Sequence, residues 1–189
     1  MKNLLSATSI VLTLAISPLA FTAASAHDEA TKMMQSSPDA AKAPYDIQFL
    51  DTMAEHHREG IEMFKMAAEK AQSKDLRAKA QKMANDQQKE IPELKAMRDN
   101  IQAEAPEAIS MELPGMMPMD MAKLETASAK DFDHKFLNMM IKHHQSAVDM
   151  SNHALKRAKS QQVIDKAQKI IDKQSKEVAE MKQMHDAMK

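Results

Sequence analysis

The sequence repeats itself once, at a constant offset of 87 residues. The match begins at Asp46 and Asp133 and continues without a gap to Met97 and Met184. A register kept over that length indicates that each half is one structural unit. A single unit cannot bury its own apolar face, so we expect the two units to pack against each other. The duplication constrains the fold more than any other feature of the chain.

Within each half, apolar residues recur at helical spacing. In the first half one stripe extends from Phe49 to Ala71, and a second begins at Leu76 after the break in "QSKD". Pro92 lies inside the second stripe and predicts a kink or a local break there. Each half is therefore predicted to be a helical hairpin, and two such hairpins bury their stripes best in an all-α four-helix bundle.

The first 26 residues have the pattern of a secretory signal peptide. Lys2 precedes the apolar run "LLSATSIVLTLAIS", and small residues precede an expected cleavage after Ala26. We expect the mature chain to begin at His27, to be periplasmic or secreted, and to have no membrane span after signal removal. The predicted organisation is a signal peptide (1–26), a flexible arm (27–44) and a four-helix bundle (45–189) made of hairpin 1 (45–100), a Met-rich crossover (101–127) and hairpin 2 (128–189).

Composition narrows the chemistry further. The chain has no Cys, which excludes disulfides, thiolate metal sites and thiol catalysis. A formal net charge of −1 with no Trp and one Tyr gives no support for nucleic-acid binding. A carboxylate-bridged di-iron oxidase needs Glu-x-x-His on two helices, and no Glu here is followed by His three residues later. The chain contains nineteen Met, an unusually high number that the interpretation of the sequence has to explain.

Each half contains a Met, a His pair beginning three residues later, and a second Met seven residues after the first His. These candidate metal ligands are Met53, His56, His57 and Met63 in the first half and Met140, His143, His144 and Met150 in the second. Met and the second His of each pair are i,i+4 neighbours on a helix, so their side chains converge. We expect Met53, His57, Met140 and His144 to close on one ion. His56 and His143 are expected on the flank of the buried stripe, where they form further sites.

The donor types select the metal. Thioether sulfur is soft and imidazole suits copper and zinc, so the set without thiolate favours copper as Cu(I), with Cu(II), silver and zinc as alternatives. Gly60 and Ala147 are small residues that leave room beside the imidazoles. Further candidate donors are His153, one turn beyond Met150, the N-terminal His27, and the crossover residues Met111, Met116, Met117, Met119 and Met121.

Packing is the competing interpretation of these residues. A lone buried Met is ordinarily a gap-filler of the core, but paired His recurring in register with Met favours ligation. The crossover Met residues fit an adaptable protein-binding surface as well as they fit copper. His134 and His185 have no matching His in the other half and are expected to be solvated.

The doubled pattern Asp-x-x-Phe-x3-Met-x-x-His-His carries a family resemblance. It stands in "DIQFLDTMAEHHREGIEMFKMA" and "DFDHKFLNMMIKHHQSAVDMS", and it resembles the secreted family of domain of unknown function 305 over about residues 45–189. The resemblance implies a ferritin-like four-helix bundle and, as in the copper-binding members, copper held by the motif His and Met. Ser151 stands where the first repeat has Phe64, and His153 stands where it has Met66. The two half-sites are therefore not expected to be equivalent.

Together these features favour a periplasmic copper-binding protein that buffers, sequesters or delivers Cu(I) and has no turnover chemistry. Its partners would be copper ions and a periplasmic copper exporter or chaperone, and the oligomeric state stays open. The alternative is a metal-independent helical chaperone or stress adaptor. A copper- or iron-oxidising ferritin-like enzyme is the third and least favoured class.

Overall fold

The protein is described by a computed structural model that covers residues 34–188. The described residues form helices and no strands, which confirms the predicted all-α four-helix bundle of two hairpins. The predicted signal peptide, and His27 with it, lie outside the described residues. The elements are a 3₁₀ turn (Ala40–Lys42), α1 (Tyr45–Lys70), α2 (Lys74–Gln102), the single-turn α3 (Ala122–Glu125), α4 (Ala129–Arg157) and α5 (Gln161–Asp186).

Helix α2 passes through Pro92 without interruption, so the predicted local break is absent. A proline in a helix interior removes the hydrogen bond to the carbonyl four residues earlier, which is that of Gln88. Gln88 and Pro92 are both exposed. The carbonyl that loses its partner therefore lies on the water-facing side of α2, where solvent can satisfy it.

Two aspartates of the repeat fix how the hairpins pair. Asp46, at the start of α1, accepts the backbone N–H groups of Lys159 and Ser160 at 2.9 Å each, in the α4–α5 turn. Its repeat mate Asp133, at the start of α4, accepts those of Gln72 and Ser73 in the α1–α2 turn, also at 2.9 Å. Each hairpin thus holds the turn of the other, and α1 and α4 must lie antiparallel.

The hairpins meet mainly through α1 and α4, and the core between them has two apolar parts. The Phe64 cluster also contains Phe136 and Leu137. The Phe49 cluster also contains Leu50 and Ile170. The antiparallel pairing puts the first part of α1 and the last part of α4 in the same cluster, because the two helices run in opposite directions.

The Met-rich crossover lies against the bundle. Ser110 donates its backbone N–H to Thr52 Oγ1 at 2.9 Å, and Leu113 is buried in the Phe49 cluster. Gly115 has a φ of +93°, and a Cβ there would lie 2.7 Å from the carbonyl oxygen of Ser146, so only glycine fits this close approach to α4. The crossover therefore covers the middle of α4.

Residues 34–44, which belong to the predicted N-terminal arm (27–44), contact the crossover. Ser37 donates its backbone N–H to the Ile109 carbonyl at 2.8 Å, and Ala40 is buried against Ala108 and Ile47. These contacts attach the segment to the bundle. None of the helices within residues 34–188 is both long and apolar enough to span a membrane.

Candidate metal centre

Four buried imidazoles form a row across the α1–α4 interface. His56, His57, His143 and His144 are all at most 1% exposed. The ring centroids of His57 and His56 are 6.3 Å apart, those of His56 and His143 are 3.7 Å apart with the rings stacked, and those of His143 and His144 are 6.0 Å apart. The structure therefore brings both His pairs of the repeat into one continuous cluster.

The expected distinction between buried His57 and flanking His56 is wrong. His56 and its mate His143 are the pair that meets between the helices, and both are buried. Gly60 makes this approach feasible, because a Cβ there would lie 2.9 Å from His143 Cε1 and 2.5 Å from Gln87 Oε1. The prediction that Gly60 leaves room beside an imidazole is confirmed, and the room is taken by His143 of the other hairpin.

The second His of each pair faces a glutamate on the next helix of its own hairpin. His57 Nε2 lies 2.8 Å from Glu90 Oε2, and His144 Nε2 lies 3.1 Å from Glu177 Oε2. Glu90 and Glu177 are themselves repeat mates. A carboxylate only accepts, so each Nε2 carries the hydrogen. A carboxylate behind a ligating histidine fixes the tautomer and ring orientation.

The first His of each pair is fixed by partners across the interface. The Ser146 hydroxyl donates to the His143 carbonyl at 2.9 Å, so Ser146 Oγ accepts from His56 Nε2–H at 2.8 Å. His143 Nε2–H donates to the His56 carbonyl at 3.1 Å. Both rings therefore carry their hydrogen on Nε2 and present Nδ1 as a bare lone pair.

Three of these Nδ1 atoms are buried but have no hydrogen-bond partner among residues 34–188: those of His56, His57 and His143. Buried polar atoms are almost always paired, so each orphaned atom calls for an unseen partner. His144 differs, because its Nδ1 lies 3.1 Å from the Met140 carbonyl. The two halves thus present different donor sets.

The environment of His56, His57 and His143 favours the neutral form, which is the form that binds metals. Burial, reinforced by the neighbouring histidines, places the pKa of His56 and of His143 well below the ordinary value of 6.5. Burial also lowers the pKa of His57, an effect that Glu90 partly offsets. Burial alone would raise the pKa of Glu90, but His57 and nearby lysines lower it to about 2.

Glu59 also lies beside the centre, but its pKa is shifted in the opposite direction to that of Glu90. Its Oε2 lies 3.8 Å from His143 Nε2, and it accepts the backbone N–H of Met119 from the crossover. Burial, together with repulsion from Glu55, raises the pKa of Glu59 to about 7. The repeat mate of Glu59 is Ser146, so each half supplies a polar partner to the His of the other.

All four motif methionines are fully buried in the core. Met53 and Met150 belong to the Phe49 cluster, whereas Met63 and Met140 belong to the Phe64 cluster. The expected grouping of Met53 with Met140 is therefore not the one the fold makes. The antiparallel pairing of α1 and α4 instead puts the first Met of one half in the same cluster as the second Met of the other.

The other candidate donors divide into two groups. Met119 is buried in the Phe64 cluster with Met121 packed on it, and Met116 packs on the Phe49 cluster. Each pair of motif thioethers thus shares its cluster with crossover methionines. Met111 is half-buried, Met117 is 39% exposed and His153 is exposed, so these three are not brought into the centre.

The residues that the sequence interpretation missed are the polar partners on α2 and α5. Glu90, Glu177 and Gln87 are not among the candidate residues that the His and Met pattern singles out, and the Gln87 amide has no partner among residues 34–188. The signal that could have found them is the repeat. A polar residue kept in register on a helix that packs beside a His pair is a candidate partner for that pair.

A soft metal fits this donor set. Within residues 34–188 no three His, Asp or Glu side chains form a group that could hold an ion, so nitrogen and oxygen donors alone do not make a site. The orphaned imidazole Nδ1 atoms and the buried motif thioethers of the same two helices are the nitrogen and sulfur donor types that copper prefers.

Known structures share this fold. CopM in the Cu(II)-bound form is 33% identical with a TM-score of 0.67, covering 76% of this chain and 97% of that one. CopM in the Cu(I)-bound form is 31% identical with a TM-score of 0.65, covering 76% and 96%. A DUF305 fragment from Deinococcus radiodurans is 26% identical with a TM-score of 0.66, covering 77% and 97%. No curated protein matches the sequence.

The family assignment rests on the chain itself as well as on these structures. The sequence profile of the domain of unknown function DUF305 matches residues 21–98 and 46–185, which together include both His pairs and all four helices of the bundle. The resemblance drawn from the doubled His-His pattern is thereby confirmed, and the chain belongs to the DUF305 family.

Proposed function

We propose that this protein binds copper outside the cytoplasm and buffers, sequesters or delivers it as Cu(I). The observation that carries the proposal is a group of three buried imidazole nitrogens without a partner among residues 34–188, the Nδ1 atoms of His56, His57 and His143. They stand on the two helices that also carry the four fully buried motif methionines. Burying an imidazole nitrogen without a hydrogen-bond partner destabilises the fold, because the nitrogen loses its hydration and gains no partner. Packing alone therefore does not account for these three nitrogens.

The chemistry of the donors supports copper over other ions. Oxygen-preferring ions such as Mg²⁺ and Ca²⁺ gain nothing from thioether sulfur, whereas Cu(I) and Ag(I) bind it well. The proposed ligands are Met53, His56, His57 and Met63 from the first half and Met140, His143, His144 and Met150 from the second. Solved CopM structures hold Cu(I) and Cu(II), which supports the same choice for a chain of this family.

The test is a titration of the purified protein with Cu(I) against a competing chromophoric chelator. The double variant His57→Gln/His144→Gln keeps the size and polarity of the side chains but removes two proposed ligands and both glutamate contacts. We expect the apparent affinity for Cu(I) to fall by more than about 100-fold, beyond the loss typical of an outer-shell partner alone.

The matched control is His153→Gln, since His153 is an exposed histidine on the same helix as His144. The control should bind Cu(I) as the wild type does. A wild-type protein that cannot compete with the chelator would contradict the proposal. It would instead favour the metal-independent chaperone, for which the histidines serve only the core.

The proposed role is binding without turnover. When Cu(I) is added under air, a solution of the wild-type protein should therefore consume no more oxygen than a solution of the double variant. Protein-dependent oxygen uptake would identify an oxidase and would contradict the non-catalytic role, while leaving copper binding intact.

A further inference from the structure

Two histidines outside the central row touch each other at one end of the bundle. His134 lies near the start of α4, and His185 is the penultimate residue of α5. Their ring centroids are 5.1 Å apart with the rings perpendicular, and both side chains are half-buried. The sequence predicts that they are solvated, and both keep part of their surface exposed, but the antiparallel α4 and α5 also bring the two rings together.

The fold itself does not require histidine at these positions. The repeat mates of His134 and His185 are Ile47 and Arg98, which are 0% and 7% exposed. Ile47 fills an apolar cluster, and Arg98 donates to the Ala103 carbonyl at 2.8 Å beyond the end of α2. In the first half, the residues at both positions therefore have structural roles. In the second half, the same positions hold two imidazoles in contact.

The arrangement of the two rings suits a shared ion. Two imidazoles that bind one ion at the ordinary metal–nitrogen distance of about 2 Å have their ring centres roughly 5–6 Å apart. The 5.1 Å between the ring centroids of His134 and His185 lies within this range. The stacked pair His56 and His143, at 3.7 Å, does not.

The partners of His185 leave a lone pair available. Asn138 Nδ2 lies 3.2 Å from His185 Nε2 and donates to it, so Nε2 is the unprotonated nitrogen. Asn138 is exposed and can turn away at little cost. On the other side of the ring, Nδ1 lies 3.8 Å from Asp186 Oδ1. A carboxylate behind the ring is the usual support of a histidine that binds metal through its other nitrogen.

A cleft beside His134 supplies access and a third kind of donor. It has a volume of about 810 Å³, and its walls include the thioethers of Met184 and Met188. Lys79 and Lys82 also line it, but Lys79 is paired with Glu180 and Lys82 with Asp86, so part of the positive charge is neutralised. Two imidazoles and a thioether favour Cu(I) or Ag(I) over oxygen-preferring ions.

We propose a second metal site, formed by His134 and His185 with a thioether from Met184 or Met188, that takes Cu(I) or Ag(I). The site is separate from the row of imidazoles at the α1–α4 interface and shares no ligand with it. Its members His134, Met184 and Met188 line a surface cleft, whereas the central histidines are at most 1% exposed. The two sites therefore respond independently to substitution.

The experiment is a titration of the ¹⁵N-labelled protein with Ag(I), a diamagnetic ion of the same soft class, followed through the ring nitrogen signals of the histidines. We expect the signals of His134 and His185 to shift together. The variant His57→Gln/His144→Gln should show the same shift at these two rings. The variant His134→Gln/His185→Gln should bind one Ag(I) fewer than the wild type and keep the response of His56 and His143.

Controls and contrary outcomes separate this proposal from the proposed function. His153→Gln should bind as many Ag(I) ions as the wild type, and far-ultraviolet circular dichroism should show that each variant folds. Unchanged His134 and His185 signals at saturating Ag(I), or an unchanged count in His134→Gln/His185→Gln, would overturn the second site. If Ag(I) shifts the signals of His134 and His185 in the wild type but not those of His56 and His143, the result would instead count against the central site.

Discussion

At the scale of single residues, the centre is organised by hydrogen bonds that hold Nε2 and leave Nδ1 bare. Glu90 does this for His57 at 2.8 Å, and Ser146 does it for His56 at 2.8 Å. Neither partner is a proposed ligand. Each acts through the imidazole that it orients, so its effect on copper should exceed its effect on folding.

Glu90→Gln tests that role. The amide oxygen can still accept the His57 Nε2–H, but it lacks the negative charge, and the amide nitrogen can donate instead, so the tautomer and ring orientation are less firmly fixed. We expect Cu(I) affinity to fall about 10- to 100-fold, as for outer-shell partners of other metal ligands, measured by chelator competition. Glu62→Gln, an exposed glutamate on α1, is the control and should bind normally. Equal affinity of Glu90→Gln and wild type would exclude a positioning role.

Gly60→Ala tests the close approach of the hairpins. In an ordinary exposed helix interior this change stabilises by about 1 kcal/mol. Here the added Cβ would lie 2.9 Å from His143 Cε1 and 2.5 Å from Gln87 Oε1. We therefore expect a loss of about 1–3 kcal/mol in the free energy of unfolding, as for overpacked cores, measured by urea denaturation. A variant as stable as the wild type would show that the rings can move aside freely.

At the scale of helices and turns, the reciprocal clamps of Asp46 and Asp133 set the antiparallel pairing on which the centre depends. Each carboxylate satisfies two backbone N–H groups at the beginning of a helix in the other hairpin. A negative charge at a helix N-terminus is also favourable for the helix dipole. The clamps therefore join the two halves at both ends of the α1–α4 interface.

Asp46→Ala should weaken this joint. It leaves the N–H groups of Lys159 and Ser160 without an acceptor, at a cost of about 1–3 kcal/mol in the free energy of unfolding. Asp165→Ala, which removes an exposed aspartate that accepts from Gln161 within α5, is the matched control and should cost much less. Urea denaturation of both variants gives the comparison. If both variants lost a similar amount of free energy of unfolding, the hydrogen bonds between Asp46 and the α4–α5 turn would not stabilise the protein more than an ordinary surface contact.

The elements were predictable to the extent that local pattern determines them. Apolar periodicity and the repeat predict four helices and two hairpins, because helix formation and burial follow from residue spacing. The same pattern does not specify which end of α1 meets which end of α4. Met53 and Met140 were grouped by their equal places in the repeat, but the Asp46 and Asp133 clamps force the antiparallel arrangement that puts Met53 with Met150.

At the scale of the whole molecule, the duplication keeps a common scaffold and lets the two halves diverge where chemistry is added. Glu59 in one half corresponds to Ser146 in the other, and Ile47 and Arg98 correspond to His134 and His185. The sequence predicts that the halves differ. Only the fold shows that Glu59 and Ser146 lie beside the central imidazoles, and that His134 and His185 contact each other. That information depends on contacts between hairpins, which no local pattern contains.

The stability of the metal-free protein should depend on pH through the buried histidines. The lowered pKa values of His56, His57 and His143 mean that the unfolded chain binds more protons below about pH 6.5. Stability should therefore fall as the pH drops from 7 to 5, by up to about 1.4 kcal/mol per pH unit for each histidine.

Two glutamates modify this profile in opposite directions. The pKa of Glu59, raised to about 7, favours the folded state at low pH and loses that contribution as the pH rises from about 4.5 to about 7, but it opposes three histidines with only one group. The pKa of Glu90, lowered to about 2, adds a further loss below about pH 4.5. Urea denaturation at a series of pH values measures the sum. Stability that rises on acidification from pH 7 to 5 would contradict the assignment of neutral buried imidazoles.

The central claim is that bare, buried imidazole nitrogens receive the metal. It is tested most directly by long-range ¹H–¹⁵N spectra of the histidine rings, recorded without metal and with Cu(I) under anaerobic conditions. We predict that His56, His57 and His143 carry their proton on Nε2 in the metal-free protein, and that Cu(I) shifts their Nδ1 signals. Protonated Nδ1 atoms, or Nδ1 signals that Cu(I) leaves unchanged, would contradict the account.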